Sequence, residues 1–209
     1  MTERPSSSDA TFFQSFEGFE LIPTIVRLIA EGNPVSVGQI ASAANSTVKY
    51  VERVLRSEVG TEWDDDGRLV GLGLTLRPTA HHFTTGGRDL YTWCATDTLL
   101  FATILDTSEV IESTCPATGQ PIRIELEPST LVSVSPVDAV VSQRHCAELV
   151  DDLRAQVCDH GHFFASSASA ESWLAEHPDG EVLSVGAAFE RCQATCSELG
   201  WFDRARTPR

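Results

Sequence analysis

Two short segments carry side chains able to grip and transform a soft ligand. The first is LYTWCATDTLLF, residues 90–101, which holds Cys94 and Asp97. An aromatic-rich extended run leads into Cys94 and a helical run follows it. The thiol therefore stands at a helix N-terminus, where the helix dipole favours thiolate. Asp97 lies three residues on, and a first turn that is already helical puts both side chains on one face. A carboxylate beside a thiol can exchange a proton with it or with a bound ligand. Taken alone, the pair is better explained as a small packed thiol and an ordinary helix-start acid, since free cysteine is usually buried.

The second segment is QVCDHGHFFAS, residues 156–166. Cys158, His160 and His162 alternate, so a strand would present all three on one face. Cysteine and histidine are both ligands for soft metals. A strand carrying satisfied histidines beside buried Phe163 and Phe164 explains the pattern about as well. The remaining cysteines say less. Cys115 opens a Pro/Gly turn in STCPATGQPIRI and reads as structural. Cys192 and Cys196 share one face of the last helix, where packing is the commoner role. Cys146 begins a helical run in RHCAELVDDL and reads as incidental. No Cys-x-x-Cys pair exists, which argues against a zinc ribbon or a thioredoxin-type motif.

Composition narrows the partners. The net charge is −15, and Lys49 is the single lysine. Such a chain is repelled by phosphate backbones, so no nucleic-acid partner is expected. A charge-covered, soluble surface explains the acid excess. With 42% hydrophobic residues the chain can bury a core. It lacks an apolar run long enough to span a membrane, so no membrane partner is expected. The opening decapeptide MTERPSSSDA has no apolar stretch and does not read as a secretory signal. The expected compartment is the reducing cytoplasm, where disulfides are rare.

The elements that must position these residues follow from periodicity. FELIPTIVRLIAE (19–31) has helical spacing with Pro23 in its first turn. Ser36 and Gln39 form a capping-box pattern before a short helix over 37–44. A third helix covers 47–57, with Val51, Val54 and Leu55 inward. TEWDDDGRLVGLGLTL then reads as a hairpin turning at Asp66-Gly67. Three helices and a hairpin make a winged-helix-like region over 1–80. From 81 to 209 the pattern is α+β, with strands at 81–85, 109–114, 121–126, 130–135 and 181–185. Helices are expected at 96–105, 146–156, 169–176 and 186–199. The expected whole is a helical N-terminal domain packed on a core of mainly antiparallel sheet with helices.

Four motifs in register resemble the organomercurial (alkylmercury) lyase family. They are W-C-A-x-D-T-L-x-F from Trp93 to Phe101, C-x-A-T-G-x-P from Cys115 to Pro121, the run His160–Ser166 behind Cys158, and G-x-G-L-T-L from Gly71 to Leu76. The resemblance covers nearly the whole chain, up to about residue 190. It implies protonolysis of R–Hg to R–H and Hg(II), for mercury detoxification, by Cys94, Cys158 and Asp97. The two thiols and the carboxylate would also be the mercury ligands, with no metal cofactor besides. A cysteine matching Cys115 is structural in that family. Some members carry a second cysteine directly after the one matching Cys158, where this chain has Asp159.

The implied chemistry suits the residues. Mercury is soft, so thiolate competes best for it. Two sulfur donors weaken the carbon–mercury bond, and a protonated Asp97 supplies the proton to carbon. Trp93, Phe163 and Phe164 offer an apolar wall for the organic group, though ordinary core serves them equally well. The implied partners are an organomercurial, small cytosolic thiols, and a mercuric reductase as recipient of Hg(II). Two rival readings stand beside this one: a winged-helix regulator sensing a metal through cysteines, and a metal-binding protein without turnover.

Overall fold

The computed structural model describes residues 8–57, 60–144 and 152–201. Its N-terminal region is built by apolar spacing and caps. After α1 (Ser8–Gln14), α2 (Ile22–Ile29) places Pro23 in its first turn and buries Ile25, Val26 and Ile29. Ser36 caps α3 (Val37–Ala43) reciprocally. The Gln39 N–H donates to Ser36 Oγ at 3.3 Å, and the Ser36 N–H donates to Gln39 Oε1 at 2.9 Å. Helix α4 (Val48–Ser57) buries Val51, Val54 and Leu55, the face marked by its sequence.

The hairpin pairs β1 (Glu62–Trp63) with β2 (Leu69–Leu72), and Gly73 turns β2 into β3 (Leu74–Thr75). Next come β4 (His81–Thr85) and β5 (Arg88–Thr92), joined by Gly86-Gly87 with φ of 54° and 74°. That left-handed pair is the backbone a two-residue hairpin needs. Helix α5 (Ala95–Leu105) precedes β6 (Glu109–Thr114), β7 (Pro121–Glu127) and β8 (Thr130–Ser135). These eight strands form one antiparallel sheet in the order β1-β2-β3-β5-β4-β6-β7-β8. The N-terminal hairpin thus joins the later strands directly, through Leu74 opposite Thr92.

A second sheet centres on β9 (Val140–Arg144). Helix α6 (Leu153–Gln156) follows, then β10 (Phe163–Phe164), α7 (Glu171–Glu176), β11 (Gly180–Ser184) and α8 (Val185–Glu198). Strands β10 and β11 pair antiparallel on either side of β9. The whole is α+β with a helical N-terminal region, as the sequence implies.

Two expectations need correction. Residues 140–144 carried no strand assignment, yet they form the middle of this sheet. Their apolar run is too short to show a period. Residues 156–166 are not a strand: Cys158–His160 is a 3-10 turn, and pairing starts at Phe163. Of the helix expected over 146–156, α6 is the described part. Its start, with Cys146, lies outside the described residues.

Helix α5 is buried on nearly all sides, from Ala95 through Ile104 except Thr96 and Asp97. It is the internal post of the molecule, in contact with α2, α8 and both sheets. No helix among the described residues is long and apolar enough to cross a membrane.

One buried acid lies at the start of β6. Glu109 is 2% exposed, and its Oε1 accepts from Thr107 Oγ1 at 2.8 Å and Thr85 Oγ1 at 3.2 Å. Burial pushes its pKa from 4.5 up to about 8, against the pull of those two hydroxyls. The folded value is the higher one. Stability from this group is therefore complete below pH 4.5, erodes as pH rises, and is lost above about 8. Glu109→Gln should raise stability at pH 8.5 by at least about 1 kcal/mol, or ~2–4 °C in Tm. The gain should shrink to nothing near pH 4. Thermal melts at both pH values check this, and a gain independent of pH would contradict it.

Candidate active site

Strand β5 delivers Cys94 to the head of α5. The Trp93 N–H donates to Gly73 O at 2.9 Å, and Thr92 Oγ1 donates to Cys94 O at 2.8 Å. Cys94 is the N-cap residue, with extended backbone at φ −135° and ψ 169°. Its Sγ accepts the Asp97 N–H at 3.3 Å, while the Cys94 N–H donates to Asp97 Oδ2 at 3.2 Å. This is a capping box in which a thiol stands where serine or threonine usually does. It fixes sulfur and carboxylate side by side.

Cys158 reaches the same place from the other side. It opens the 3-10 turn, which closes with the Gly161 N–H donating to Cys158 O at 2.9 Å. Gly161 O then accepts the Ala95 N–H at 3.0 Å, stitching this loop to the first turn of α5. A Cβ at Gly161 would sit 2.9 Å from Cys94 Cβ and 3.6 Å from Cys94 Sγ, so the close approach needs glycine. The result is convergence. One ligand atom each from Cys94, Asp97 and Cys158 lies within 4.8 Å of the others. Among the described residues no other group of three such ligands comes together.

The surroundings hold the protons on sulfur. The Cys94 pKa is pushed well above the usual thiol range by its hydrogen bond with Cys158, by burial and by the Asp97 charge. For Cys158 the bond with Cys94 pulls down, but burial and the charges of Asp97 and Asp159 outweigh it and the value rises. The dipole effect expected at this helix start is therefore overruled. Burial lifts Asp97 to about 6, opposed by its hydrogen bonds from Cys94.

The histidines stand apart from the trio, because the 3-10 turn breaks the alternation that would have aligned them. His160 Nδ1 lies 3.2 Å from His177 Nε2, and His177 stacks on Trp173. The His162 ring is 6.3 Å from that of His81, which is buried and held neutral with a pKa lowered to about 4 by burial. Trp93 belongs to a small apolar cluster with Cys94 and Cys158, flanked by Leu72 and Leu153. Phe163 and Phe164 lie instead in the main core. Cys115 is fully buried in the β6–β7 turn, where its N–H donates to Gln120 O at 2.9 Å.

Sequence reasoning missed two supports. Glu62 is buried and accepts from Thr75 Oγ1, from Trp93 Nε1 at 3.1 Å and from Arg154. Arg154 also lies over the Trp93 ring, 5.5 Å from its centroid. It ties the segment carrying Cys158 to the N-terminal hairpin. Nothing in the spacing of Glu62 and Arg154, far apart in the chain, could have paired them.

A helix-turn-helix region whose hairpin completes a pocket of two thiols and a carboxylate defines a class of protein suited to soft-metal chemistry. Comparison with known proteins places it more narrowly. Residues 74–197 match the family described as "Alkylmercury lyase", and residues 17–73 match the "Helix-turn-helix domain of alkylmercury lyase". An alkylmercury lyase of Bacillus cereus is 45% identical over 170 residues, 81% of this chain and 78% of that protein. One of Streptomyces lividans is 43% identical over 166 residues, 79% and 77% of the two chains. One of Pseudomonas putida is 40% identical over 169 residues, 81% and 79%. A crystal structure of the mercury-bound form of MerB2 superposes with a TM-score of 0.77 at 25% identity, covering 93% of this chain and 99% of that one. The chain belongs to the alkylmercury lyase family, and its activity is cleavage of the carbon–mercury bond of organomercurials.

The electrostatics make a direct prediction. The Asp97 charge raises both thiols. Asp97→Asn should therefore make Cys94 and Cys158 ionise at lower pH, read as thiolate absorbance or as the pH profile of iodoacetamide alkylation. An unchanged or upward-shifted titration would refute the coupling.

Proposed function

We propose that this lyase works with Cys94 and Cys158 as its mercury ligands and Asp97 as its proton carrier. The observation that carries the assignment is the convergence of their ligand atoms within 4.8 Å. That spacing suits a single soft ion held jointly.

The protons balance as follows. The substrate arrives as R–Hg–SR′, carried by a small cytosolic thiol. One protein thiol displaces R′SH by giving it a proton, and becomes Cys-S–HgR. The second thiol passes its proton to Asp97, which is largely ionised at neutral pH with a value near 6. Its sulfur then binds mercury. Electron density from two sulfurs loosens the carbon–mercury bond, and protonated Asp97 delivers its proton as carbon departs. The products are R–H and Hg(S-Cys)2. Two small thiols then exchange onto mercury and restore both protein thiols. The order of attack by Cys94 and Cys158 is open in this scheme. A cytoplasmic setting supplies such thiols in excess, and a mercuric reductase is the natural recipient of Hg(II).

The helix-turn-helix serves here as scaffold. On α4, Arg53 is held by Glu17 at 2.5 and 2.6 Å, and Arg56 bonds Glu52 at 3.3 Å while covering Trp63. With these cations engaged and a net charge of −15, the reading without a nucleic-acid partner is favoured over that of a regulator.

Cys94→Ser and Cys158→Ser should each cut hydrocarbon release from methylmercury by at least ~10³-fold while the fold survives. Near-full activity in either variant rules out the two-thiol scheme. Asp97→Asn should still bind an organomercurial but release hydrocarbon ~10²–10⁴-fold more slowly. In the wild type, kcat/KM should rise with pH through a limb near 6, the Asp97 value. That limb should vanish in Asp97→Asn, and its persistence there would assign the base to another group.

A further inference from the structure

Mercury held by Cys94, Cys158 and Asp97 must direct its organic group toward one side of the pocket. Three directions are closed. The Gly161 main chain presses on Cys94, where a Cβ would sit 2.9 Å from Cys94 Cβ. Ala95, next to Cys94 and fully buried, belongs to the main core and puts that core on a second side. Trp93 is engaged on its own account. Its ring edge lies against Gly60, where a Cβ would sit 3.4 Å from the ring carbons. Arg154 covers the ring, and Nε1 donates to Glu62.

The remaining side is the N-terminal hairpin. Gly73 sits there with φ 72°, held by its carbonyl to the Trp93 N–H. A Cβ on Gly73 would lie 3.7 Å from Asp97 Cγ, so the hairpin backbone comes directly against the proton carrier. Its neighbour Leu72 and, from α6, Leu153 are the partly buried apolar side chains packed on the Trp93–Cys94–Cys158 cluster. Both keep some exposure. They are thus apolar, partly exposed, and set on two separate elements packed on the cluster that holds both sulfurs.

We infer that Leu72 and Leu153 form the wall that receives the organic group, and that their size sets which organomercurials are cleaved efficiently. The inference rests on the assignment of Cys94, Asp97 and Cys158 above. Selectivity then belongs in part to the helix-turn-helix region, through its hairpin, while the reacting groups come from the rest of the chain. A methyl group needs little of this wall. A phenyl group must lie along it, so the phenyl-to-methyl preference should follow the space left by residues 72 and 153.

The test measures kcat/KM for methane release from methylmercury and benzene release from phenylmercury, with excess small thiol. Leu72→Ala and Leu153→Ala should raise the phenyl-to-methyl ratio about 10-fold. Leu72→Phe should lower it by a similar factor, with Leu72→Val in between. Binding of one Hg(II) per chain and an unchanged circular-dichroism spectrum show that the thiol pair and fold persist. The valine and phenylalanine variants keep the series readable if an alanine variant unfolds. Ratios within twofold of wild type across the folded variants, or an order unrelated to side-chain size, overturn the inference while the site assignment stands. Release of neither hydrocarbon by the wild type would overturn the site assignment itself.

Discussion

The reciprocal cap between Cys94 and Asp97 constrains everything else in the pocket. A helix start leaves backbone donors without partners, and most proteins satisfy them with a hydroxyl or carboxylate. Here a thiol and a carboxylate do so for each other's residue, at 3.3 and 3.2 Å. The bonds that begin α5 also hold the proposed mercury-binding sulfur beside the proposed proton carrier. Because α5 is buried along its length, that pair cannot drift without disturbing the core. Cys158 is then referred to the same frame by one further bond, from the Ala95 N–H to Gly161 O. Local helix chemistry and pocket geometry are one set of interactions.

That crowding has an electrostatic consequence. In a medium of low dielectric, neighbouring anions resist forming together. Two sulfurs and a carboxylate this close accommodate one negative charge readily, and it resides on Asp97, the most acidic of the three. The thiols therefore rest protonated, which shields them from stray alkylation and oxidation. A soft cation removes the penalty that kept them so. Its charge offsets the thiolates as they form, and the displaced protons have Asp97 at hand. In the proposed scheme the substrate, not the resting protein, supplies the positive charge that activates its ligands.

Much of this was legible in the chain, for physical reasons that differ by element. Helices α2, α3 and α4 announce themselves because apolar residues recur at helical spacing and Ser36 with Gln39 writes out a cap. Strand β7 alternates cleanly, and α5 is marked by the apolar run from Leu99 to Ala102. Cys94 and Asp97 could be placed together because a helix turn fixes their separation. Cys158 could be joined to them through family likeness, since no local rule links residues so distant in sequence. What escaped was tertiary. The turn at Cys158–His160 depends on Gly161 meeting Cys94, and alternation in the sequence mimicked a strand. The strand at 140–144 is too short to carry a period. The lowered Cys94 pKa expected from the helix dipole was reversed by burial and by Cys158, both invisible before folding.

The scaffold role proposed for the helix-turn-helix rests on where its hairpin ends. In a nucleic-acid reader the helices would present cations and the hairpin would lie free at the edge. In this chain Arg53 and Arg56 of α4 are engaged by neighbouring acids and an aromatic ring, while β3 is hydrogen-bonded into the central sheet beside β5, the strand that leads to Cys94. The buried Glu62 makes the same point from the hairpin's other strand. It gathers Thr75 from β3, Trp93 from the approach to α5, and Arg154 from the segment bearing Cys158. Removing Thr75 would take from the buried Glu62 Oε2 its hydroxyl donor, which is costly. One acid side chain thereby couples the hairpin to both thiol-bearing segments. The helical region is held to the pocket by the same bonds that keep the pocket's two halves together.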